Sequence, residues 1–190
     1  MSHGSRSNGD ADRPNDQAAQ LMSDGARIAH VVVASTSAAA GTATDTTGPV
    51  IAAWLVDRGF AVIGPAIVAD GADVARAVRG ALEASPAVII TTGGTGVSPT
   101  DRTPEAVEPL LDIAVPGLIE ALRARGVAQQ PAAVLTRGVA GFAGATFVIT
   151  LPGSTGGVRD GLAVLDPVLE HLLGQRAGTP RAHDGHEPRR

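Results

Sequence analysis

The chain contains no cysteine, no lysine and no tyrosine; all fifteen of its basic residues are arginines. These absences exclude a disulfide framework, thiol and phenol nucleophiles, Schiff-base lysines and the lysine-dependent phosphate loop. Aromatic side chains are confined to Trp54, Phe60, Phe142 and Phe147. That is too few for a base-stacking platform, and a formal net charge of −4 argues further against a nucleic-acid partner. No apolar run approaches the ~20 residues of a membrane span. Of five histidines, His30 and His171 lie outside the polar tails, so a histidine-rich metal centre in the folded part is excluded. The catalytic stock that remains is carboxylates, hydroxyls, arginines and backbone amides.

Residues 1–26 are rich in Ser, Asn, Asp and Gly and lack an apolar signal-peptide core. They read as a disordered tail of a cytoplasmic protein, and 175–190 as a second tail. Between them, 27–174 read as one domain in which strands alternate with helices. The pattern predicts an α/β fold with a mostly parallel sheet. Strands are expected at Arg27–Ala34, Ala61–Val68, Ala87–Ile90, Ala132–Thr136 and Thr146–Leu151. Helices are expected from Pro49 to about Arg58, from Gly71 to Ala84, from Pro104 until Pro109 shortens it, over Pro116–Arg125, and from Val158 toward Leu173 with a bend at Pro167.

The stretch from Thr91 to Ala106 organises the rest. A β-branched run leads into Gly93, Gly94, Thr95 and Gly96, whose glycines free the backbone for tight turns and close ligand approach. Thr103 as N-cap, Pro104 at the first helical position and Glu105 in the first turn then open a helix. A glycine loop over a helix start offers amides to an anion, yet Asp101 would repel that anion unless a metal ion lies between them. The dinucleotide fingerprint fails, because Gly94-Thr95-Gly96-Val97-Ser98-Pro99 ends in proline. Asp45, Asp70, Asp101 and Ser154 each follow a predicted strand, and in a parallel sheet those ends share one edge. Three carboxylates converging there predict Mg²⁺ bridging them to phosphates, and hence phosphoryl or nucleotidyl transfer without a protein nucleophile. The competing reading makes Asp45 a turn or helix cap and Asp70 the N-cap of the helix that follows it.

Thr91–Gly96 with Asp101 and Thr103-Pro104-Glu105-Ala106 resembles the signature of the Mog/MoaB family of molybdenum-cofactor biosynthesis. Asp45-Thr46-Thr47-Gly48, Val68-Ala69-Asp70, Thr136-Arg137-Gly138-Val139 and Leu151-Pro152-Gly153-Ser154 match further family blocks in order, over about 27–174. The resemblance implies a single three-layer domain and molybdopterin adenylyltransferase activity, with ATP as co-substrate, Mg²⁺ and a homotrimer, and a possible hand-over to a molybdenum-inserting protein. It implies Asp101 and Asp70 as the required carboxylates, which would position metal and triphosphate. Gly93, Gly94, Thr95 and Gly96 would cradle phosphate, Ser154 and Gly153 would hold the pterin side, and Asp45 and Thr47 would face them from the opposite loop. Two departures stand out: Ser37 occupies a position where many relatives carry arginine, and Thr155-Gly156-Gly157 lacks the lysine of some members. They favour, as a rival reading, a protein that binds or carries molybdopterin without adenylylating it.

Overall fold

The computed structural model describes residues 26–178. The expected disordered tails fall outside these residues except at Ala26 and at 175–178, where the last helix runs on to Arg176 and so takes in Gln175 and Arg176. Six strands form one sheet: β1 (Arg27–Ala34), β2 (Phe60–Val68), β3 (Val88–Thr92), β4 (Ile113–Ala114), β5 (Ala140–Ala143) and β6 (Thr146–Leu151). Their order is β2-β1-β3-β6-β5-β4. The first four in that order are mutually parallel, and β5 pairs antiparallel with both β6 and β4. The predicted mostly parallel α/β sheet is therefore what forms. β3 lies at its centre, and all five of its residues are buried, as its unbroken Val-Ile-Ile-Thr-Thr sequence requires of a strand covered on both faces.

Seven helices cover the sheet among the described residues: α1 (Thr36–Ala39), α2 (Gly48–Val56), α3 (Ala72–Glu83), α4 (Thr103–Val107), α5 (Pro116–Val127), α6 (Thr155–Leu165) and α7 (Leu169–Arg176). One face buries Ile51 and Leu55 of α2, Ile119 and Leu122 of α5, and Val158, Leu162 and Leu165 of α6 against Val31, Ile90 and Ile149. The other buries Val74, Val78 and Ala81 of α3 and Val107 of α4 against Ile89 and Val148. Each large aliphatic side chain so buried contributes about 2 kcal/mol of transfer free energy. Trp54 packs at the margin of the first cluster, and its ring is covered by the Arg58 guanidinium at 3.9 Å.

Several local expectations are corrected. Ala132–Thr136 is not a strand; Pro131–Leu135 forms a 3-10 turn, in which Pro131 sits near the start and Val134 and Leu135 are exposed. The next strand is instead β5, inside a segment that reads as loop because Gly141 weakens its strand signal. The structure needs that glycine, since a Cβ there would lie 2.2 Å from Ile113 O of β4. The final helix starts earlier than expected, at Thr155, and is interrupted between Leu165 and Leu169 rather than merely bent. Pro167, in that gap, has no N–H with which to continue it. β2, the strand weakened by Gly64 and Pro65, is an edge strand, where proline is tolerated.

His30, on β1, is buried, and its Nε2 has no hydrogen-bond partner among the described residues. Burial pushes its pKa below the usual 6.5. The unfolded chain therefore binds a proton here before the folded one does, and stability is lost as pH falls below 6.5 toward the folded value. Replacing His30 by leucine is expected to flatten the pH dependence of the thermal midpoint between about pH 7 and 5. Melting curves of both proteins across that window check this; parallel curves would refute it.

Candidate functional site

The carboxyl ends of β1, β2, β3 and β6 share one edge, and the loops that follow them build the site. Between β1 and β2, α2 packs on one face of the sheet; α4, after β3, packs on the other, while α6, after β6, returns to the first face. The connections thus diverge on both sides of the β3 end, and a crevice opens on each side. The larger, about 680 Å³, lies between the Gly94–Ser98 loop with Asp101 and the Pro152–Ser154 turn, and is closed by the end of α5 and the Pro131–Leu135 turn. The smaller, about 220 Å³, lies toward β1 and is lined by Ser35, Asp45, Thr46, Thr47 and Gly93. Gly94 and Gly153 belong to both walls.

The glycine loop is shaped by what stands behind it. Gly93 and Gly94 have φ of +93° and +61°. A Cβ on Gly93 would meet Ala34 O at 2.2 Å, and one on Gly94 would meet the Asp70 carboxylate at 2.0 Å. The chain can turn here only with glycine. Gly93 N–H donates to Leu151 O (3.1 Å), and Thr103 N–H closes the far end onto Gly94 O (3.1 Å). Thr95 is held from below, where the buried Thr136 hydroxyl donates to Thr95 Oγ1 (3.0 Å).

The three aspartates do different work. Asp45 Oδ1 accepts from the Thr47 and Gly48 amides (2.8 and 3.0 Å) and from the Thr47 hydroxyl (3.0 Å), so the turn reading holds for its side chain, while the N-cap of α2 is Thr47. Asp70 does not cap α3, whose N-cap is Gly71. Its Oδ1 accepts from Gly71 N–H (2.7 Å) and the Thr103 hydroxyl (3.1 Å), and its Oδ2 from Arg102 N–H (3.2 Å). It ties the end of β2 to the start of α4. Thr103 is accordingly not the N-cap of α4 but its first residue, with its hydroxyl turned to Asp70. Asp101 lines the larger cavity, and its Oδ2 accepts from Ser98 N–H at 3.0 Å. The expected convergence of three carboxylates does not form, because no group of three or more acidic, histidine or cysteine side chains placed to hold a metal occurs among the described residues. Ser154 caps α6, accepting from Gly157 N–H at 3.1 Å, and lies in the wall facing the glycine loop. The loops approach each other at Thr46 and Thr155, whose hydroxyl oxygens are 3.5 Å apart.

Two further features carried no role in the sequence. Asp160 reaches the larger cavity while paired with Arg125 (3.0 Å). Arg137 lies under the glycine loop, and its guanidinium bonds Gly96 O (2.7 Å), Asp101 O (2.8 Å) and the Glu105 carboxylate. Arg137 holds the Glu105 carboxyl below its ordinary range, assisted by the Glu105 backbone amide. The Thr136-Arg137-Gly138 block marked this residue, but nothing local in the sequence showed that it meets the loop some forty residues earlier. Among the described residues, no arginine lines the larger cavity.

Paired crevices at the carboxyl end of a parallel sheet lie where α/β proteins of this class take small molecules. The profile of a family described as "Probable molybdopterin binding domain" matches residues 30–171, and the chain belongs to that family. The fold matches the Mog protein of molybdopterin biosynthesis from Mycobacterium ulcerans at 52% identity, with a TM-score of 0.77 over 80% of this chain and 98% of that one. It matches the molybdopterin biosynthesis enzyme MoaB from Thermus thermophilus at 38% identity and a TM-score of 0.74, over 80% and 97%. Among curated relatives, a molybdenum cofactor biosynthesis bifunctional protein of Synechococcus elongatus is 42% identical over 147 residues, 77% of this chain and 46% of its own length. The chain spans about half the length, or less, of the curated relatives it matches. The Mog/MoaB resemblance is thereby borne out.

The glycine corner gives a direct test. Gly94→Ala places a methyl group against Asp70 in left-handed backbone and is expected to cost about 2 kcal/mol or more. Gly80→Ala, in α3 with nothing within 4 Å of the added Cβ, is expected to stabilise by about 0.8 kcal/mol. Denaturant unfolding of the two variants beside the parent decides both.

Proposed function

We propose that this protein acts in molybdenum-cofactor biosynthesis as a molybdopterin adenylyltransferase. In the reaction, a terminal phosphate oxygen of molybdopterin attacks the α-phosphorus of ATP; the new P–O bond forms as the bond to the β-phosphate breaks, and pyrophosphate leaves. Family membership supports the pterin substrate. The observation that carries the transfer chemistry is the larger cavity, where a glycine loop and the capped start of α6 face each other across the Asp101 carboxylate with no basic side chain in the lining.

That donor set fits Mg²⁺. A carboxylate beside loop amides, with no cation among the described residues that line the cavity, calls for a metal to offset the phosphate charge. Mg²⁺ takes one or two carboxylates and completes its shell with water and phosphate oxygens. Asp101 would hold it, with Asp70 as the second candidate through Oδ2, which accepts a single hydrogen bond. Bound Mg²⁺ supplies charge neutralisation for the triphosphate. The loop amides of Thr95 and Gly96 and the start of α6 would orient phosphate, and Ser154 with Gly153 would hold the pterin side. Asp45 shapes the smaller crevice by fixing Thr47 and Gly48. A cytoplasmic homotrimer, with hand-over to a molybdenum-inserting protein, completes the reading; among the described residues no helix is long and apolar enough to cross a membrane.

The same bare lining favours a second reading, a protein that binds or carries molybdopterin without adenylylating it. Incubation with molybdopterin, ATP and Mg²⁺ separates the two. Adenylyl-molybdopterin with pyrophosphate is the expected product; tight pterin binding without product would select the carrier. Asp101→Asn is expected to lower turnover at least about a hundredfold while leaving the pterin dissociation constant within about threefold. Unchanged turnover would show that Asp101 does not position metal or triphosphate.

A further inference from the structure

The loop that carries Asp101 is bonded internally about Ser98, whose hydroxyl lies 3.0 Å from Thr100 Oγ1, and Arg102 Nε donates to Pro99 O at 3.2 Å. Asp101 N–H returns to Ser98 O (3.0 Å), and its carboxylate accepts from Ser98 N–H (3.0 Å), which closes the second half of the loop on itself. Val97 projects into solvent at 64% exposure, so no apolar burial fixes the tip. Among the described residues, the two ends of the loop, Gly96 and Asp101, are joined by a group from elsewhere in the chain. Arg137 Nε donates to Gly96 O (2.7 Å) and its Nη2 to Asp101 O (2.8 Å), while Nη1 pairs with Glu105 in the first turn of α4. The Arg137 backbone N–H also donates to Thr95 O at 2.8 Å. The fit is close, because a Cβ on Gly96 would come within 2.7 Å of Asp101 Oδ2.

We propose that Arg137 is a positioning residue: its guanidinium spans the Gly96–Asp101 loop from below and sets the Asp101 carboxylate at the mouth of the larger cavity. Arg137 does not line that cavity, and three of its donor nitrogens are already engaged, so it is not a substitute for the missing anion contact. It acts through Asp101. The geometry requires arginine, whose planar fork meets two carbonyls and a carboxylate at once. A lysine ammonium is a compact point charge that can satisfy the Glu105 pairing but cannot span both loop ends.

The proposal rests on the adenylyltransferase reading for its kinetic consequence but not for its structural one, and the test keeps them apart. Amide hydrogen exchange is measured on the full chain without ligand for the parent, Arg137→Gln and Arg137→Lys, together with melting temperature and steady-state pyrophosphate release. In Arg137→Gln, exchange over 95–101 is expected to quicken about tenfold or more while β1 and β3 keep their protection. The kcat is expected to fall about a hundredfold with the KM for ATP changed by less than about threefold, as for a displaced catalytic group. Arg137→Lys is expected to recover most of the melting temperature and little of the kcat. Loop exchange at the parental rate in Arg137→Gln overturns the proposal. So does faster exchange spread evenly over the sheet, or recovery of kcat in step with melting temperature in Arg137→Lys, since either marks a merely structural residue. If the parent forms no adenylylated product, the enzymatic reading falls and the exchange arm alone decides the role of Arg137.

Discussion

The site depends on one backbone corner. At the end of β3 the chain must leave a fully buried strand and turn over the neighbouring strand ends. It does so with two successive left-handed glycines pressed against Ala34 O on one side and the Asp70 carboxylate on the other. Left-handed backbone is ordinarily a single-residue event, and the cost of holding two together is met by the bonds at either end of the corner. Gly93 donates to β6 and Gly94 accepts from Thr103, while Asp70 gathers Gly71, Arg102 and Thr103 behind them. Three strand ends and one helix start are thereby registered to a single turn. Both crevices share Gly94, so their separation is set by the same corner.

Much of the fold was legible because it is written in short-range patterns. β1, the core of β3 and β6 are apolar β-branched runs, and α2, α3 and α5 carry helical spacing with proline or glycine at their ends. What failed was the antiparallel edge. β4 has two residues, and β5 contains a glycine demanded by its neighbour rather than by its own conformation, so neither carries a propensity signal. The strand expected at Ala132–Thr136 has the composition of one, but no sheet edge is there to receive it. Propensity describes a segment; pairing depends on what lies beside it.

The candidate site was legible in its membership and less so in its roles. Topology correctly brought the loops bearing Asp45, Asp70, Asp101 and Ser154 to one edge. A carboxylate in a loop, however, can answer to a metal or to backbone amides, and sequence does not distinguish the two. Asp45 closes the turn before α2, Ser154 caps α6, Asp70 crosses from β2 to α4, and Asp101 is the one of the three aspartates that lines the larger cavity. Arg137 was present in a recognised block without a function, because its partners at 96, 101 and 105 are far away in the chain. Contacts of that kind become visible only once the sheet is assembled.

The absence of basic side chains from the larger cavity among the described residues sharpens the electrostatics of the proposed reaction. A triphosphate brought to a wall that carries Asp101 is repelled, and amide dipoles alone offset charge over short range. Were anion binding the protein's purpose, an arginine would be the simplest remedy, and this chain has fifteen. Those nearest are committed elsewhere: Arg137 to the loop carbonyls and Glu105, Arg125 to Asp160, and Arg102 to Pro99 O. If the adenylyltransferase reading holds, an arrangement that keeps its cations in supporting roles and lines the cavity with a carboxylate would make phosphate affinity conditional on a metal. On the adenylyltransferase reading, that conditionality is useful. Metal-bound ATP would be held and positioned while metal-free anions of similar shape would be turned away, so selection for the reactive form would be built into the charge of the wall rather than into a dedicated contact.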